Sequence, residues 1–204
     1  MKTSKLLISL IIINAILVVG RAYGYAESEQ SLDTTVQPAV SIEKLSSSKE
    51  TGSINPETGA QSGLESVFSL QTNGTDSDYD FILSSKITTD GGEYSAYGEN
   101  GCLLFVNTLA TPTAAAIEDA KTGGNNNPNV IAYPVTVTTS SPFTNSFSAS
   151  NSQFGACYVI NVNNGTEGTV THIVGKTPVS GSYSVAQDQA GTYRATVTLS
   201  AVSK

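Results

Sequence analysis

Apolar and polar residues alternate along the C-terminal stretch from Gly191 to Val202. The odd positions are apolar or aromatic: Tyr193, Ala195, Val197, Leu199 and Ala201. The even positions are polar: Thr192, Arg194, Thr196, Thr198 and Ser200. A period of two places the two sets on opposite faces of a β-strand. Because an isolated strand is unstable in water, this stretch predicts a β-sheet with one buried face.

Similar strand patterns recur along the chain, together with one helical segment. A Pro near the start and a Gly after the end predict a short helix between Thr111 and Gly123. The other predicted strands lie at residues 67–70, 79–87, 93–97, 102–106, 131–137, 157–162, 169–174 and 179–185. Strands at such intervals predict an all-β fold, an antiparallel Ig-like or jelly-roll-type β-sandwich with one short helix.

Turn residues and prolines refine this picture. Asp90-Gly91-Gly92 and Asn164-Gly165-Thr166 each predict the turn of a β-hairpin, and the second would join the strands at 157–162 and 169–174. Pro134 lies inside a predicted strand. Proline cannot donate to a strand ladder, so it indicates a sheet edge or a bulge at that position.

The first residues have the pattern of a secretory signal peptide. A short basic start is followed by an uncharged apolar run from Leu6 to Val19, and then by small residues at 22–24. A helix of that length spans about 21 Å, less than the roughly 30 Å of a bilayer core, although an uncleaved anchor is the alternative. We expect residues 1–24 to be removed and the mature chain to be secreted, without membrane insertion, through the periplasm if the cell is Gram-negative.

Residues 25–63 are predicted to form a polar N-terminal extension before a β-sandwich domain at 64–204. The even positions of one short stretch are apolar, which predicts a first strand or a strand donated to another chain. Pro38 places that strand at a sheet edge. Its alternating residues are Val36, Pro38, Val40 and Ile42. The Ser-, Gly- and Pro-containing residues 43–63 predict a long polar loop or linker.

The two cysteines, Cys102 and Cys157, both lie in apolar strand-like runs. In an oxidising compartment such a pair is expected to form one disulfide, whereas two free thiols or a thiol nucleophile are the alternatives. The chain carries a net charge of −7 with scattered charged residues. This acidity excludes electrostatic binding of nucleic-acid phosphates.

The acidic residues offer one candidate metal site. Asp76, Asp78 and Asp80 begin like an EF-hand loop, but Phe81 and Ile87 stand where that loop needs Gly and Glu. Three carboxylates in one loop could hold Ca²⁺ in another geometry, while a polar turn before a strand is the alternative. No other cofactor is expected. The Asn-x-Thr sequences at residues 73–75 and 164–166 are glycosylation sites in a eukaryotic secretory pathway and otherwise hairpin turns.

His172 is the sole histidine in the sequence. It shares strand parity with Val170 and Val174, and no acidic residue or cysteine nearby has metal-ligand spacing. A structural role is therefore expected. No catalytic residues are predicted, because Gly-x-Ser-x-Gly is absent and the adjacent Glu118 and Asp119 would not face each other on a helix.

Several of these features together resemble the bacterial fimbrial and spore-coat-U-like surface subunits. The specific likeness is in Gly191-Thr192-Tyr193 followed by Ala195-Thr196-Val197-Thr198-Leu199, in a chain with a signal peptide and a Thr/Asn/Gly-rich composition. The resemblance implies an Ig-like sandwich. It also implies assembly with like subunits or other surface proteins, in which a neighbour's N-terminal segment supplies a missing strand.

Two functions follow as expectations. The first is a secreted, non-catalytic structural or adhesive surface protein, similar to a pilus or fimbria subunit and active in cell adhesion. The alternative is a secreted glycan- or Ca²⁺-binding β-sandwich module that uses the three aspartates with Tyr79 or Tyr97.

Overall fold

The computed structural model describes residues 35–124, 127–163 and 166–204. Gln37–Lys204 form one compact unit. The predicted signal peptide, residues 1–24, lies outside the described residues. Within the described ranges, no helix has the length and apolar character needed to cross a membrane.

Two antiparallel sheets make up the fold and confirm the predicted all-β sandwich with one short helix. The six-stranded sheet has the order β1-β2-β9-β6-β5-β10, and the second has the order β11-β3-β8-β7, with β4 beside β3. The elements are β1 (Val40–Lys44), β2 (Leu64–Thr72), β3 (Tyr79–Thr89), β4 (Gly92–Ser95), β5 (Cys102–Asn107), α1 (Ala114–Lys121), β6 (Val130–Thr139), β7 (Thr144–Asn151), β8 (Gly155–Asn161), β9 (Glu167–Val174), β10 (Tyr193–Arg194) and β11 (Val197–Ser203).

The core lies between the sheets and follows the predicted alternation. On β3, Phe81, Leu83 and Ile87 belong to the core cluster, whereas Lys86 and Thr88 are exposed. Ile82 and Ser84, on the opposite face of the strand, are buried as well. The helix begins slightly later than Thr111-Pro112 predicted, because Thr113 is its N-cap and accepts a hydrogen bond from the Ala116 N–H at 3.2 Å. Its Ile117 and Ala120 close one side of the core.

The C-terminal stretch is divided between the two sheets rather than forming one strand. Tyr193 and Arg194 pair with β5 in the first sheet, whereas Val197–Ser203 pair with β3 in the second. The chain crosses between the sheets at Ala195 and Thr196 while its odd residues stay against the core. The alternation thus predicts correctly which residues face the core. It does not predict that the chain changes its partner strand from β5 to β3.

The hairpin predicted around Asn164 is wrong. β8 lies between β3 and β7 in the second sheet, whereas β9 lies between β2 and β6 in the first, so this connection passes from one sheet to the other. The turn residues 164–165 lie outside the described residues. The strand predicted at 179–185 is also wrong, because those residues form turns.

Pro134 does not mark a sheet edge, because β6 is an interior strand. β6 pairs with β5 up to Pro134 and with β9 from Val135 onward. The missing N–H therefore falls where β6 changes partners, and the Pro134 carbonyl still accepts a hydrogen bond from the Gly175 N–H at 2.7 Å. At this position the proline therefore removes few backbone hydrogen bonds from the pairing of β6 with either neighbour.

The polar segment 45–63 lies against the sandwich instead of forming a free linker. Isolated bridges join Lys49 to Glu65 and Ile54 to Gln61. At the tip of the segment, the Tyr133 hydroxyl donates a hydrogen bond to the Gly59 carbonyl at 2.6 Å. Gly59 has φ of +69°, and a Cβ there would lie 2.4 Å from the ring of Tyr183, so both its conformation and its surroundings require glycine.

The prediction of a disulfide is wrong, because Cys102 and Cys157 are both unbonded and buried. On β5, Leu103 and Phe105 face the space between the sheets, so Cys102 has the opposite parity and lies on the outer face of the first sheet. On β8 the core residues are Ala156, Tyr158 and Ile160, so Cys157 has the opposite parity and lies on the other face of its sheet. The two thiols therefore lie on the outer faces of different sheets and cannot be bridged without movement of the backbone.

Candidate functional site

The three aspartates of the predicted metal loop have separate structural partners. Asp76 accepts hydrogen bonds from the backbone N–H groups of Val162 at 3.0 Å and Asn163 at 3.4 Å. Asp78 accepts from the N–H and hydroxyl of Thr75 at 2.7 and 3.0 Å, and Asp80 lies 3.0 Å from the Lys204 ammonium. Each carboxylate is thus engaged with a different part of the chain.

No group of three or more His, Cys, Asp or Glu in the described part of the chain is arranged to hold a metal ion. The tyrosines proposed for sugar stacking are not a flat exposed platform either. Tyr97 is fully buried, and the half-buried Tyr79 packs against Phe81 with ring centroids 5.8 Å apart. The residues of the Ca²⁺- and glycan-binding hypothesis therefore make contacts within the fold, and the hypothesis itself stays a prediction.

The segment proposed as a donor strand is paired within its own chain. Val40 and Ile42 lie opposite Thr72 and Leu70 of β2, and both are half-buried against the core. Pro38 precedes the strand and is exposed, and Val36 is 78% exposed. The strand forms the outer edge of the six-stranded sheet.

His172 lies on the inner face of the first sheet, with Ser66 of β2 on one side and Val137 of β6 on the other. It is 1% exposed, and its ring centroid lies 6.0 Å from that of Tyr97. Burial lowers its pKa from 6.5 to about 4, although a hydrogen bond to its own backbone raises it. The imidazole is therefore neutral at pH 7.

The geometry of His172 leaves one ring nitrogen without a protein partner. Its Nε2 atom is buried and makes no hydrogen bond.

A cleft of about 660 Å³ opens between the sheets at the end where β2 begins and β9 ends. We call this the inter-sheet cleft. Its inner wall contains His172 and apolar or aromatic side chains from four strands of the first sheet, and the segment Gly191–Val197 lines it on the other side. The apolar and aromatic wall residues are Leu64, Phe68, Leu103, Phe105, Tyr133 and Val174.

The rim of the inter-sheet cleft carries the charged residues Lys44, Lys49, Glu50, Glu65 and Arg194. Lys44 forms an ion pair with Glu50 at 2.8 Å, and the Lys49 ammonium donates to the Ser62 carbonyl at 3.0 Å. Exposed ion pairs of this kind are screened by water and contribute little energy. The interior of the cleft is thus apolar apart from a few oriented polar groups, which is typical of small-molecule sites.

The second candidate feature is the outer edge of β11. This strand pairs with β3 alone among the described residues, so one of its edges is free. It contains neither a charged residue nor a proline. An uncharged edge strand is a surface on which another strand can add.

The sequence predicted a structural role for His172, but it did not predict where this residue lies in the fold. Strand parity placed its side chain on the inner face, whereas the cleft exists because Gly191–Val197 cross between sheets there. That crossing depends on the pairing of β10 and β11 with distant strands, for which the local pattern contains no signal. His172 also packs near Tyr97, which lies 75 positions earlier in the chain, and the local sequence pattern cannot predict this long-range contact.

Comparison with known proteins adds no assignment to these features. No protein-family model matches the chain. No curated protein matches it either.

Proposed function

We propose that this chain is a secreted, non-catalytic surface subunit that associates with further copies of itself by strand pairing at β11. The observation that carries this proposal is the free, uncharged edge of that seven-residue strand. Long edge strands without charges or bulges pair readily with other chains. The fimbria-like assembly expected from the sequence requires a surface of this kind.

The other sheet edges carry features that oppose strand addition. β1 presents Glu43 and Lys44, and β10 has two residues. β7 has an irregularity in its register between Ser148 and Asn151. Charges, short length and bulges are the usual protection of edge strands, and β11 has none of them.

The hydrogen-bonding groups on the free edge can be assigned. The Lys204 N–H donates to the Asp78 carbonyl at 3.1 Å, on the side of β3. In an antiparallel ladder, alternate residues point their N–H and C=O groups toward the same neighbour. Val197, Leu199, Ala201 and Ser203 therefore direct their backbone groups away from β3, toward an incoming strand.

The edge of β1 lies close by, with Cα atoms within 8 Å of those of β11. The two strands belong to different sheets and do not pair. An added strand at β11 would consequently lie beside β1 and extend the second sheet past it. The segment Val36–Ile42 could act as a donor to another copy only after leaving its own partner β2, so we assign the pairing surface to β11.

Sedimentation velocity of the mature chain, residues 25–204, tests this proposal. We expect reversible association, and we expect Thr198→Lys to weaken it by at least about tenfold, because like charges across a paired edge repel. Thr198 is exposed on β11, so its replacement leaves the core intact.

Thr136→Lys is the matched control, because Thr136 is equally exposed but lies on the interior strand β6. It adds the same charge without altering an edge, and association should be unchanged. A mature chain that stays monomeric at every concentration, or equal association of the two lysine variants, would refute pairing at β11. A shortened chain that begins at Gln37 tests whether residues 25–36 contribute to the association.

A further inference from the structure

We propose that the strand that adds to β11 is β11 of a second copy of this chain, running antiparallel to the first about a two-fold axis at Ser200. The two copies form a closed dimer in which their second sheets join into one continuous sheet. This inference rests on the proposed function, because it requires pairing at β11. It goes further by naming the partner strand, its direction and its register.

The choice of partner follows from the sheet edges that a second copy offers. In the part of the chain that the structure describes, the other edge strands are charged, short or irregular. β1 contains Glu43 and Lys44, and β4 contains Glu93 in only four residues. β10 has two residues, and β7 shifts its register. These features oppose strand addition, so the edge of the second copy that best accepts β11 is its own β11.

The direction of the backbone groups favours antiparallel pairing. The odd-numbered residues from Val197 to Ser203 direct their N–H and C=O groups away from β3. When two such residues lie opposite each other in an antiparallel pair, they exchange both hydrogen bonds. A two-fold axis perpendicular to the sheet also keeps the buried faces of both sheets on the same side, so Leu199 stays in the core of its own copy. Closed two-fold contacts are the commonest association of identical chains.

The length of β11 selects the register. With the axis at Ser200, Val197 lies opposite Ser203 of the second copy, and Leu199 lies opposite Ala201 of the second copy. Every outward-facing residue of each strand is then paired, which gives about eight backbone hydrogen bonds between the copies. A shift of two residues in either direction leaves one of these residues in each strand without a partner. The register centred on Ser200 therefore makes the most hydrogen bonds.

The side chains that this register brings together are compatible. Ser200 lies opposite Ser200 of the second copy, and two small hydroxyl side chains can hydrogen-bond across a strand pair. Thr198 lies opposite Val202 of the second copy, and β-branched residues pack well on a pleated surface. Lys204 lies beyond the strand and keeps its ion pair with Asp80 at 3.0 Å. The pairing of the two β11 strands thus brings no like charges together.

An engineered disulfide tests the position of the axis. In this register the two copies of residue 200 form a non-hydrogen-bonded pair, whose Cα atoms lie about 4.5 Å apart, within the range that a disulfide spans. Ser200→Cys in the mature chain should therefore oxidise in air to a covalent dimer, which non-reducing gel electrophoresis measures. The wild-type chain gives the background, because both of its thiols are buried.

Thr198→Cys is the matched control for this disulfide. Thr198 lies on the same face of β11 as Ser200 and is more exposed, so random collision would link its two copies at least as fast. In the proposed register, however, the Cα atoms of the two copies of residue 198 lie roughly 14 Å apart, too far for a disulfide. We expect its covalent dimer to form at least about tenfold more slowly than that of Ser200→Cys.

Opposite charges at the axis give a second test that needs no covalent bond. Ser200→Lys and Ser200→Glu should each dimerise at least about tenfold more weakly than the wild-type chain, because like charges then lie directly opposite each other. An equimolar mixture of the two should recover the dimer, because opposite charges then meet across the axis. Sedimentation velocity measures this recovery, which should shrink in 1 M salt.

The outcomes separate this inference from the proposed function. A rapid Ser200→Cys disulfide, recovery in the charged mixture and a mass that stops at the dimer support the symmetric pair. Association that Thr198→Lys weakens, but without the disulfide or the recovery, would leave pairing at β11 in place and overturn the symmetric partner. Assemblies larger than a dimer would overturn closure. A chain that stays monomeric would contradict both proposals.

Discussion

The rings of Tyr97 and His172 lie 6.0 Å apart in the core, and each carries a buried polar atom without a hydrogen-bond partner. Tyr97 also packs edge-on against Tyr158, with centroids 5.4 Å apart. The ring is therefore well packed while its hydroxyl is unsatisfied. The aromatic body stabilises the core, and the hydroxyl opposes that stabilisation.

Tyr97→Phe should therefore raise the free energy of unfolding by about 1 kcal/mol, because it removes a buried hydroxyl that has no partner. Tyr133→Phe is the opposite case. Its hydroxyl donates to the Gly59 carbonyl at 2.6 Å, and its loss should cost about 1 kcal/mol or more. Urea unfolding of the two variants measures both values, and an equal loss of stability in both would contradict the assignment of Tyr97.

The pH dependence of stability should show the burial of His172. Its pKa is about 4 in the folded chain and 6.5 for the exposed group. The unfolded chain therefore takes up a proton at higher pH, and the free energy of unfolding falls as the pH drops from about 6.5 to 4. The full loss is about 3 kcal/mol.

His172→Phe isolates this effect from the titration of carboxyl groups. The acidic residues are the same in both chains, so the difference between their stability curves reports the histidine. The Lys44–Glu50 ion pair at the rim of the cleft and the neutral Tyr97 on the ring face are also common to both. A difference that does not change between pH 7 and pH 4 would show that folding does not lower the pKa of His172.

The sequence predicted the inward faces of the strands because burial alternates locally. Phe81, Leu83 and Ile87 of β3 and the odd positions from Tyr193 to Ala201 lie in or against the core as predicted. The helix boundaries were also close, since the proline before the helix and the glycine after it act over a few residues. These features depend on neighbours in the chain and are visible in its pattern.

The assignment of strands to sheets could not be predicted in the same way. Asn164-Gly165-Thr166 has the composition of a hairpin turn, yet β8 and β9 lie in different sheets. Pairing depends on which faces fit across the core, and this involves residues far apart in sequence. The error over Cys102 and Cys157 has the same origin, because the local pattern did not reveal on which side of a sheet each thiol lies.

Both thiols should be free and unreactive in the native chain. Burial raises the pKa of the Cys102 and Cys157 thiols, so little of either is present as the nucleophilic thiolate. Under non-reducing conditions we expect a thiol reagent to react slowly with the folded protein and to label both cysteines rapidly in 6 M guanidinium. Absence of labelling in the unfolded chain would demonstrate a disulfide.

Asp76 should stabilise the fold without Ca²⁺. Its carboxylate accepts from the Val162 N–H at 3.0 Å and the Asn163 N–H at 3.4 Å, so it connects the loop before β3 to the end of β8. Asp76→Ala should lower the free energy of unfolding by about 2 kcal/mol, because two backbone donors lose a charged acceptor. Asp90→Ala, in the exposed hairpin turn, is the control and should change stability by less than about 0.5 kcal/mol.

Thermal unfolding of the wild-type chain in millimolar Ca²⁺ or in a chelator should give the same Tm. A higher Tm with Ca²⁺ that disappears in Asp76→Ala would instead show that this carboxylate binds the ion.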